Sequence, residues 1–126
     1  ADELGDAWSG CKLHLPMRTW INGRWFGEAE AGVDMQFSFA DLIAHVAKSR
    51  PLTAGTLVGS GTIANEDTSK GASCLAEQRT VETLRDGKPA TPFLKFGDRV
   101  KIDITDQAGR SVFGAIEQVV KQYVPA

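Results

Sequence analysis

Two sets of residues in this chain have the types and spacing that could do chemistry. The first is Gly-Ser-Gly-Thr at positions 59–62, in which Gly61 stands directly before Thr62. A glycine leaves room for a small ligand to approach the backbone and the threonine hydroxyl. The second is Glu77, fifteen residues after Thr62, whose carboxylate could orient a base. We therefore take Gly61, Thr62 and Glu77 as candidate site residues.

The hairpin is the first element that local pattern predicts. Asn22-Gly23 separates two runs of β-forming residues, and a two-residue turn of this type needs positive φ at both positions. We therefore predict a hairpin over residues 17–28. Strict alternation over residues 100–104 predicts a further strand with one wet face.

One helix is indicated by its start signal and its periodicity. Ser38 and Asp41 have the spacing of a capping box, and apolar residues recur from Phe39 onward at helical spacing. Pro51 ends the pattern. We expect this helix to cover a sheet.

Three further runs are predicted as strands: residues 56–58, 75–84 and 111–116. Residues 1–11 are predicted as a short polar helix or turn, and residues 64–72 as a loop. About seven strands and one good helix give a mainly β, α+β fold, with the helix packed on a rolled sheet. Glu77 is accordingly expected on a strand.

Composition indicates one globular domain over residues 1–126, with 42% hydrophobic and 24% charged residues. The net charge of -2 and the scattered basic residues argue against a nucleic-acid partner. No apolar run reaches the ~20 residues of a membrane span, so we expect no membrane partner. The two cysteines, Cys11 and Cys74, favour a reducing, cytoplasmic location. The N-terminal residues lack the features of a signal peptide, and we expect that the chain begins inside a longer protein.

Other candidate patterns are weaker. Cys11 and His14 have the spacing of half a zinc site, but a structural zinc site needs four ligands. Glu28 and Glu30 would share one face of a strand, yet the glycines around them favour a solvated turn. Ser60 does not fit the Gly-x-Ser-x-Gly pattern of an esterase nucleophile. We therefore predict no metal site within these residues.

Six segments in a fixed order cover most of the chain and carry a family resemblance. They are Leu-Ile-Ala-His at 42–45, Pro-Leu-Thr-Ala-Gly-Thr at 51–56, Gly-Ser-Gly-Thr-Ile at 59–63, Gly-Ala-Ser-Cys-Leu-Ala-Glu at 71–77, Phe-Leu-Lys-Phe-Gly-Asp-Arg-Val at 93–100 and Phe-Gly at 113–114. In this order and spacing the chain resembles the C-terminal part of the catalytic domain of the fumarylacetoacetate hydrolase family.

The resemblance implies a mixed β-sandwich roll, a homodimer, and a divalent-metal-dependent hydrolase. Such an enzyme cleaves a carbon–carbon bond in a 1,3-diketo acid, of the fumarylacetoacetate type in aromatic amino acid catabolism or of the acylpyruvate type. The family threonine that contacts substrate falls on Thr62, after Gly61. The glutamate that orients the histidine base falls on Glu77.

The resemblance also implies that much of the site lies elsewhere. The ligands of Mg²⁺ (or Mn²⁺ or Ca²⁺) and the histidine base are expected in an N-terminal remainder of the same protein, which would be this chain's partner. Alone, the chain is then expected to be inactive. Two other interpretations stay open: a decarboxylase or hydratase of the same fold acting on a 2-oxo acid, and a non-catalytic β-roll that serves as a binding or dimerisation module.

Overall fold

The computed structural model describes residues 2–125 and shows a mainly β, α+β fold, as predicted. Two α-helices accompany two antiparallel sheets. The elements are the 3₁₀ helix Asp2–Ala7, strands β1 (Trp8–Ser9), β2 (Lys12–Leu13), β3 (Pro16–Ile21) and β4 (Arg24–Glu30), helix α1 (Phe39–Ala47), the 3₁₀ helix Thr68–Lys70, helix α2 (Leu75–Asp86), and strands β5 (Arg99–Ile104) and β6 (Ile116–Val119). Strands β1 and β2 form one sheet, and the other has the order β4-β3-β5-β6.

The predicted hairpin is confirmed and forms one side of the larger sheet, with β4 at the edge and β3 inside. Asn22 and Gly23 adopt φ values of 52° and 75°, as this tight turn requires. The Asn22 side chain donates to Asp98 Oδ1 at 2.9 Å and accepts from the Arg99 backbone N–H at 2.9 Å. The turn is thereby fixed to the start of β5, the strand that the alternating pattern predicted.

The hairpin also meets a distant segment at what we call the glycine crossing, formed by Gly27, Gly71 and Ala72. Gly27 and Gly71 form an isolated antiparallel bridge. A Cβ atom on Gly27 would lie 2.1 Å from the Ala72 carbonyl oxygen, and one on Gly71 would lie 2.5 Å from the Phe26 carbonyl oxygen. Only glycine allows the two backbones to approach this closely.

Helix α1 begins at the predicted capping box. Ser38 Oγ accepts from the Asp41 backbone N–H at 3.3 Å, and the Asp41 carboxylate accepts from the Ser38 N–H at 2.9 Å. The hydrogen bonds from Ser38 lower the pKa of Asp41. The helix contacts a sheet as expected, and the sheet is the two-stranded one: Phe39 stacks on Trp8 of β1 with ring centroids 6.0 Å apart.

The predicted strand at 75–84 is wrong, because the segment forms helix α2. Cys74 is its N-cap and accepts from the Glu77 backbone N–H through Sγ at 3.3 Å. Gly87 closes the C-terminus with φ 80°, the left-handed conformation that glycine favours. The helix has a weakly apolar face, and Leu84 is 82% exposed. Because few of its residues are apolar, the sequence shows no clear helical periodicity over this segment.

A buried carboxylate fixes the end of α2. Glu82 accepts from the Ala90 and Thr91 backbone N–H groups at 2.6 and 2.8 Å, and from Gln78 Nε2 at 2.9 Å. The Thr91 hydroxyl also donates to it. These hydrogen bonds, those from Thr91 first, lower the pKa of Glu82 to about 2. We call this arrangement the Glu82 clasp.

Two other predicted strands are also corrected. Residues 56–58 belong to no strand and pair with none of the described residues, and Leu57 is 96% exposed. Residues 111–116 contribute a single bridge from Ser111 to Thr105, and pairing with β5 begins at Ile116. A run of β-forming residues becomes a strand only where a partner edge is available. Residues 64–72 form the predicted loop, with a short 3₁₀ helix inside it.

Candidate functional site

Gly61 and Thr62 lie on the wall of a cavity of about 590 Å³. The cavity is bordered by the N-terminal 3₁₀ helix, the β1–β2 hairpin, the turn after β4 and helix α1. Most of its wall is apolar, and Thr62 contributes a hydroxyl to it. Volume and lining are those of a pocket for a small molecule.

The backbone beside Thr62 is open. A Cβ atom placed on Gly59 or Gly61 would meet nothing within 4 Å, and neither glycine has positive φ. Thr62 itself is exposed. Both glycines therefore have open space beside them, and no atom described within residues 2–125 requires glycine at either position.

Asn65 anchors the segment that carries Thr62, which we call the site loop (residues 59–66). Its side-chain oxygen accepts from the Glu30 backbone N–H at 2.7 Å, and its amide nitrogen donates to the carbonyls of Glu30 and Val33 at 3.1 and 3.2 Å. The Asn65 side chain thus bonds both backbone groups of Glu30, the last residue of β4, as a neighbouring strand would. This fixes the position of Thr62, three residues earlier.

Asp34 provides a second anchor. Its carboxylate accepts from the Glu66 backbone N–H at 2.9 Å, and its own backbone has φ 59°. A non-glycine residue in this region is uncommon, and aspartate tolerates it better than most. Asp34 is also one of the residues that line the cavity.

Glu77 lies in the first turn of α2 rather than on a strand. Its carboxylate accepts from the Ser73 backbone N–H at 3.3 Å, and the Ser73 hydroxyl donates to the Ile63 carbonyl. Ser73 therefore links Glu77 to the residue after Thr62. Glu77 does not line the cavity but stands behind this link, half-buried. The same carboxylate also stabilises the N-terminus of the helix.

Among residues 2–125 no three His, Cys, Asp or Glu side chains come together as a metal site would require. Glu28 is instead paired with Arg18, whose Nε lies 2.8 Å from its carboxylate. Glu30 accepts from the Gly32 N–H at 3.4 Å. Cys11 and Cys74 are free thiols.

The family model described as fumarylacetoacetate (FAA) hydrolase C-terminal matches residues 1–121. The chain therefore belongs to the fumarylacetoacetate hydrolase family, to its C-terminal part, as its motifs indicated. Members of this family are generally enzymes and generally depend on a metal. A search of curated proteins found no match. Neither helix within residues 2–125 has the length and apolar character to cross a bilayer.

The sequence pointed to Gly61 and Thr62, which the structure places on the cavity wall. It did not point to Asn65 and Asp34, whose hydrogen bonds anchor the site loop. Asn65 and Asp34 stand in polar stretches that predict only turns. A signal was present in both, because Asn and Asp side chains commonly bond to nearby backbone groups. The sequence pattern could not identify the hydrogen-bond partner of Asn65, because Glu30 lies 35 positions away in the chain.

Proposed function

We propose that this chain forms one wall of the active site of a divalent-metal-dependent hydrolase, which cleaves a carbon–carbon bond in a 1,3-diketo acid. The observation that carries the proposal is the site loop. It presents Gly61 and Thr62 to a small-molecule cavity, and Ser73 links it to Glu77. Membership of the family supports the reaction class.

In the proposed reaction, water attacks the acyl carbonyl carbon of R–CO–CH₂–CO–COO⁻. The bond between that carbon and the CH₂ group breaks, and its electron pair stays on the CH₂ carbon as an enolate. The oxygen of water becomes part of R–COO⁻, and one proton goes to the carbon to give pyruvate. The other proton is released to solvent at neutral pH.

Three residues of this chain act in the proposal. The Thr62 hydroxyl donates a hydrogen bond to a substrate oxygen, and the open backbone at Gly61 lets the substrate reach it. Glu77 orients the general base, a histidine outside this chain, and stabilises its protonated form. A carboxylate in that role can contribute on the order of 10⁴-fold to the rate.

The metal, Mg²⁺ or alternatively Mn²⁺ or Ca²⁺, would be held outside this chain, because the described side chains do not fit it. Accordingly, we expect the isolated chain neither to bind Mg²⁺ at micromolar concentration nor to turn over a diketo acid. Isothermal titration and a cleavage assay on the pure chain test this. Micromolar affinity together with turnover would contradict it.

The surface of the chain supports a covering partner. Its accessible area is 9151 Å², whereas a compact monomer of 13.6 kDa exposes about 6,600 Å². The difference exceeds the roughly 800 Å² that each side buries in a standard interface. We propose that the N-terminal remainder of the same protein covers this surface, within a cytoplasmic homodimer. An intact-mass measurement would detect the N-terminal remainder, and a native-mass measurement would detect the homodimer.

The test is a cleavage assay on the protein that contains this chain, with Thr62→Val and Glu77→Gln variants. Glutamine can keep the capping interaction of Glu77 but has no charge. We therefore expect Glu77→Gln to keep its melting temperature and KM while kcat falls by on the order of 10³-fold or more. Thr62→Val should raise KM as well as lower kcat. Thr80→Val, on the exposed side of α2, serves as the control.

The outcomes separate the alternatives. If both variants retain full activity, the chain is a non-catalytic binding or dimerisation module. If the protein consumes oxaloacetate without cleaving any acylpyruvate, it is a decarboxylase of the same fold. Loss of turnover in Glu77→Gln together with a large loss of stability would make Glu77 a helix cap only.

A further inference from the structure

The cavity beside Thr62 is chemically one-sided. Aromatic and aliphatic side chains supply most of the wall, with Trp8, Phe37, Phe39 and Leu42 among them. The polar residues of the wall lie on the site loop, at Ser60 and Thr62, and on the turn after β4. A ligand that fills this cavity is therefore apolar over most of its surface and polar at one end.

The charge of the wall narrows the ligand further. The lining described within residues 2–125 contains no Lys, Arg or His, and the carboxylate of the lining residue Asp34 accepts from the Glu66 backbone N–H. A ligand carboxylate here would lose its hydration without gaining a cation. The acidic end of a diketo acid is thus excluded from the cavity. An acyl group that ends in a carboxylate, such as fumaryl, is excluded as well.

The size of the cavity indicates a bulky group. A cavity of about 150 Å³ lined by aliphatic and aromatic residues holds benzene, and this one measures about 590 Å³. A methyl group would leave most of it filled with poorly hydrogen-bonded water. A phenyl ring or a chain of about six carbons would displace that water and contact the aromatic wall.

We propose that the substrate carries an uncharged, bulky apolar acyl group, aromatic or of about six or more carbons, which this cavity binds while Thr62 contacts the neighbouring oxygen. The proposal rests on the proposed function. It distinguishes this protein's substrate from fumarylacetoacetate by the charge of the acyl end.

The experiment compares kcat/KM for acetylpyruvate, hexanoylpyruvate, benzoylpyruvate and fumarylpyruvate with the intact protein. Each methylene that enters an apolar pocket is worth about fourfold in kcat/KM. We therefore expect hexanoyl and benzoyl substrates to exceed acetyl by at least tenfold, and fumaryl to fall below acetyl. Ala64→Leu, which adds volume to the cavity wall, should lower the hexanoyl-to-acetyl ratio about fivefold or more. Ala44→Leu, the same change on an exposed helix position outside the cavity, should leave the ratio unchanged.

Three results would overturn this inference, and they are distinguishable. Equal kcat/KM values for all four acylpyruvates, or the highest value for fumarylpyruvate, would contradict the inference and leave the proposed function standing. Cleavage of no substrate contradicts the proposed function and the inference with it. If Ala64→Leu lowers the melting temperature and slows every substrate equally, protein side chains fill the cavity in the complete protein, and the acyl group binds elsewhere.

Discussion

The glycine crossing and the site loop use the same residue type for opposite purposes. At the crossing, Gly27 has the Ala72 carbonyl oxygen where a Cβ would stand, only 2.1 Å away. In the site loop, Gly59 and Gly61 face space with nothing within 4 Å of a Cβ. A glycine required by the fold is therefore recognised by the atoms around it. Open space alone does not mark a ligand site, because eight other glycines within residues 2–125 have it; all eight have positive φ, whereas Gly59 and Gly61 do not.

The largest effect is expected from breaking the crossing. Gly27→Ala places a methyl group against backbone that cannot move away cheaply, so we expect a loss of about 3 kcal/mol or more in the free energy of unfolding. Chemical denaturation measures it. Gly59→Ala is the matched control and should change stability by less than about 0.5 kcal/mol. Equal losses at the two positions would refute the comparison.

The Glu82 clasp should give the next largest effect. Glu82→Gln removes a charge that accepts four hydrogen bonds, so we expect a clear drop in melting temperature at neutral pH. The pKa of Glu82 falls on folding from its ordinary value of 4.5 to about 2. Its contribution is therefore complete above pH 4.5 and is lost as the pH falls towards 2.

The pH profile of thermal unfolding checks this sign. The gap in melting temperature between wild type and Glu82→Gln should be widest near neutrality and should close in acid. Thr83→Val, an exposed neighbour on α2, is the control for helix propensity. A gap that persists unchanged at pH 2 would show that the clasp acts through packing rather than charge.

Asn65→Ala tests whether Asn65 holds the site loop, and Thr62 with it, in position. It removes the hydrogen bonds to Glu30 and Val33, with an expected cost of about 1–2 kcal/mol. Because Thr62 is then held less firmly, kcat/KM should fall about tenfold beyond what stability explains. The measurements are urea unfolding and the cleavage assay, with the exposed Gln118→Ala as control. Unchanged kinetics would show that Asn65 does not position Thr62.

The smallest effect is expected at Thr19, on the central strand beside the crossing. Its hydroxyl is buried and has no hydrogen-bond partner in the described residues, with 4% of the residue exposed. Thr19→Val keeps the shape and removes the unsatisfied group, so we expect a gain of about 1 kcal/mol. Thr105→Val is the control, because Arg18 donates to that hydroxyl. A loss of stability in Thr19→Val would indicate a partner supplied by another chain.

How far the sequence predicts this molecule depends on how local each signal is. The turn at Asn22, the cap at Ser38 and strand β5 are set by neighbouring residues, and all three are confirmed. The expected wet face of β5 is not seen, because residues 100–104 are all half-buried. Helix α2 was missed because its face is weakly apolar. Its Cys74 cap and its closing Gly87 were the signals available.

The candidate site was predictable only in part, for the same reason. A glycine beside a threonine indicates room for a ligand, and Gly61 and Thr62 do line a cavity. The wall of that cavity comes from segments far apart in sequence, so its apolar character could not be read locally. The roles of Gly61, Thr62 and Glu77 stay predictions until the variants are measured.

The pairing of β3 with β5 has a consequence for how the chain acquires its shape. Ile21 lies opposite Val100, so the central ladder closes only when a segment near the C-terminus reaches one near the N-terminus. Contacts this distant in sequence slow folding, because a long loop must close before they form. The site loop and α2 both lie inside that closing loop. During synthesis on the ribosome, the ladder beside them cannot form until the segment that becomes β5 has emerged.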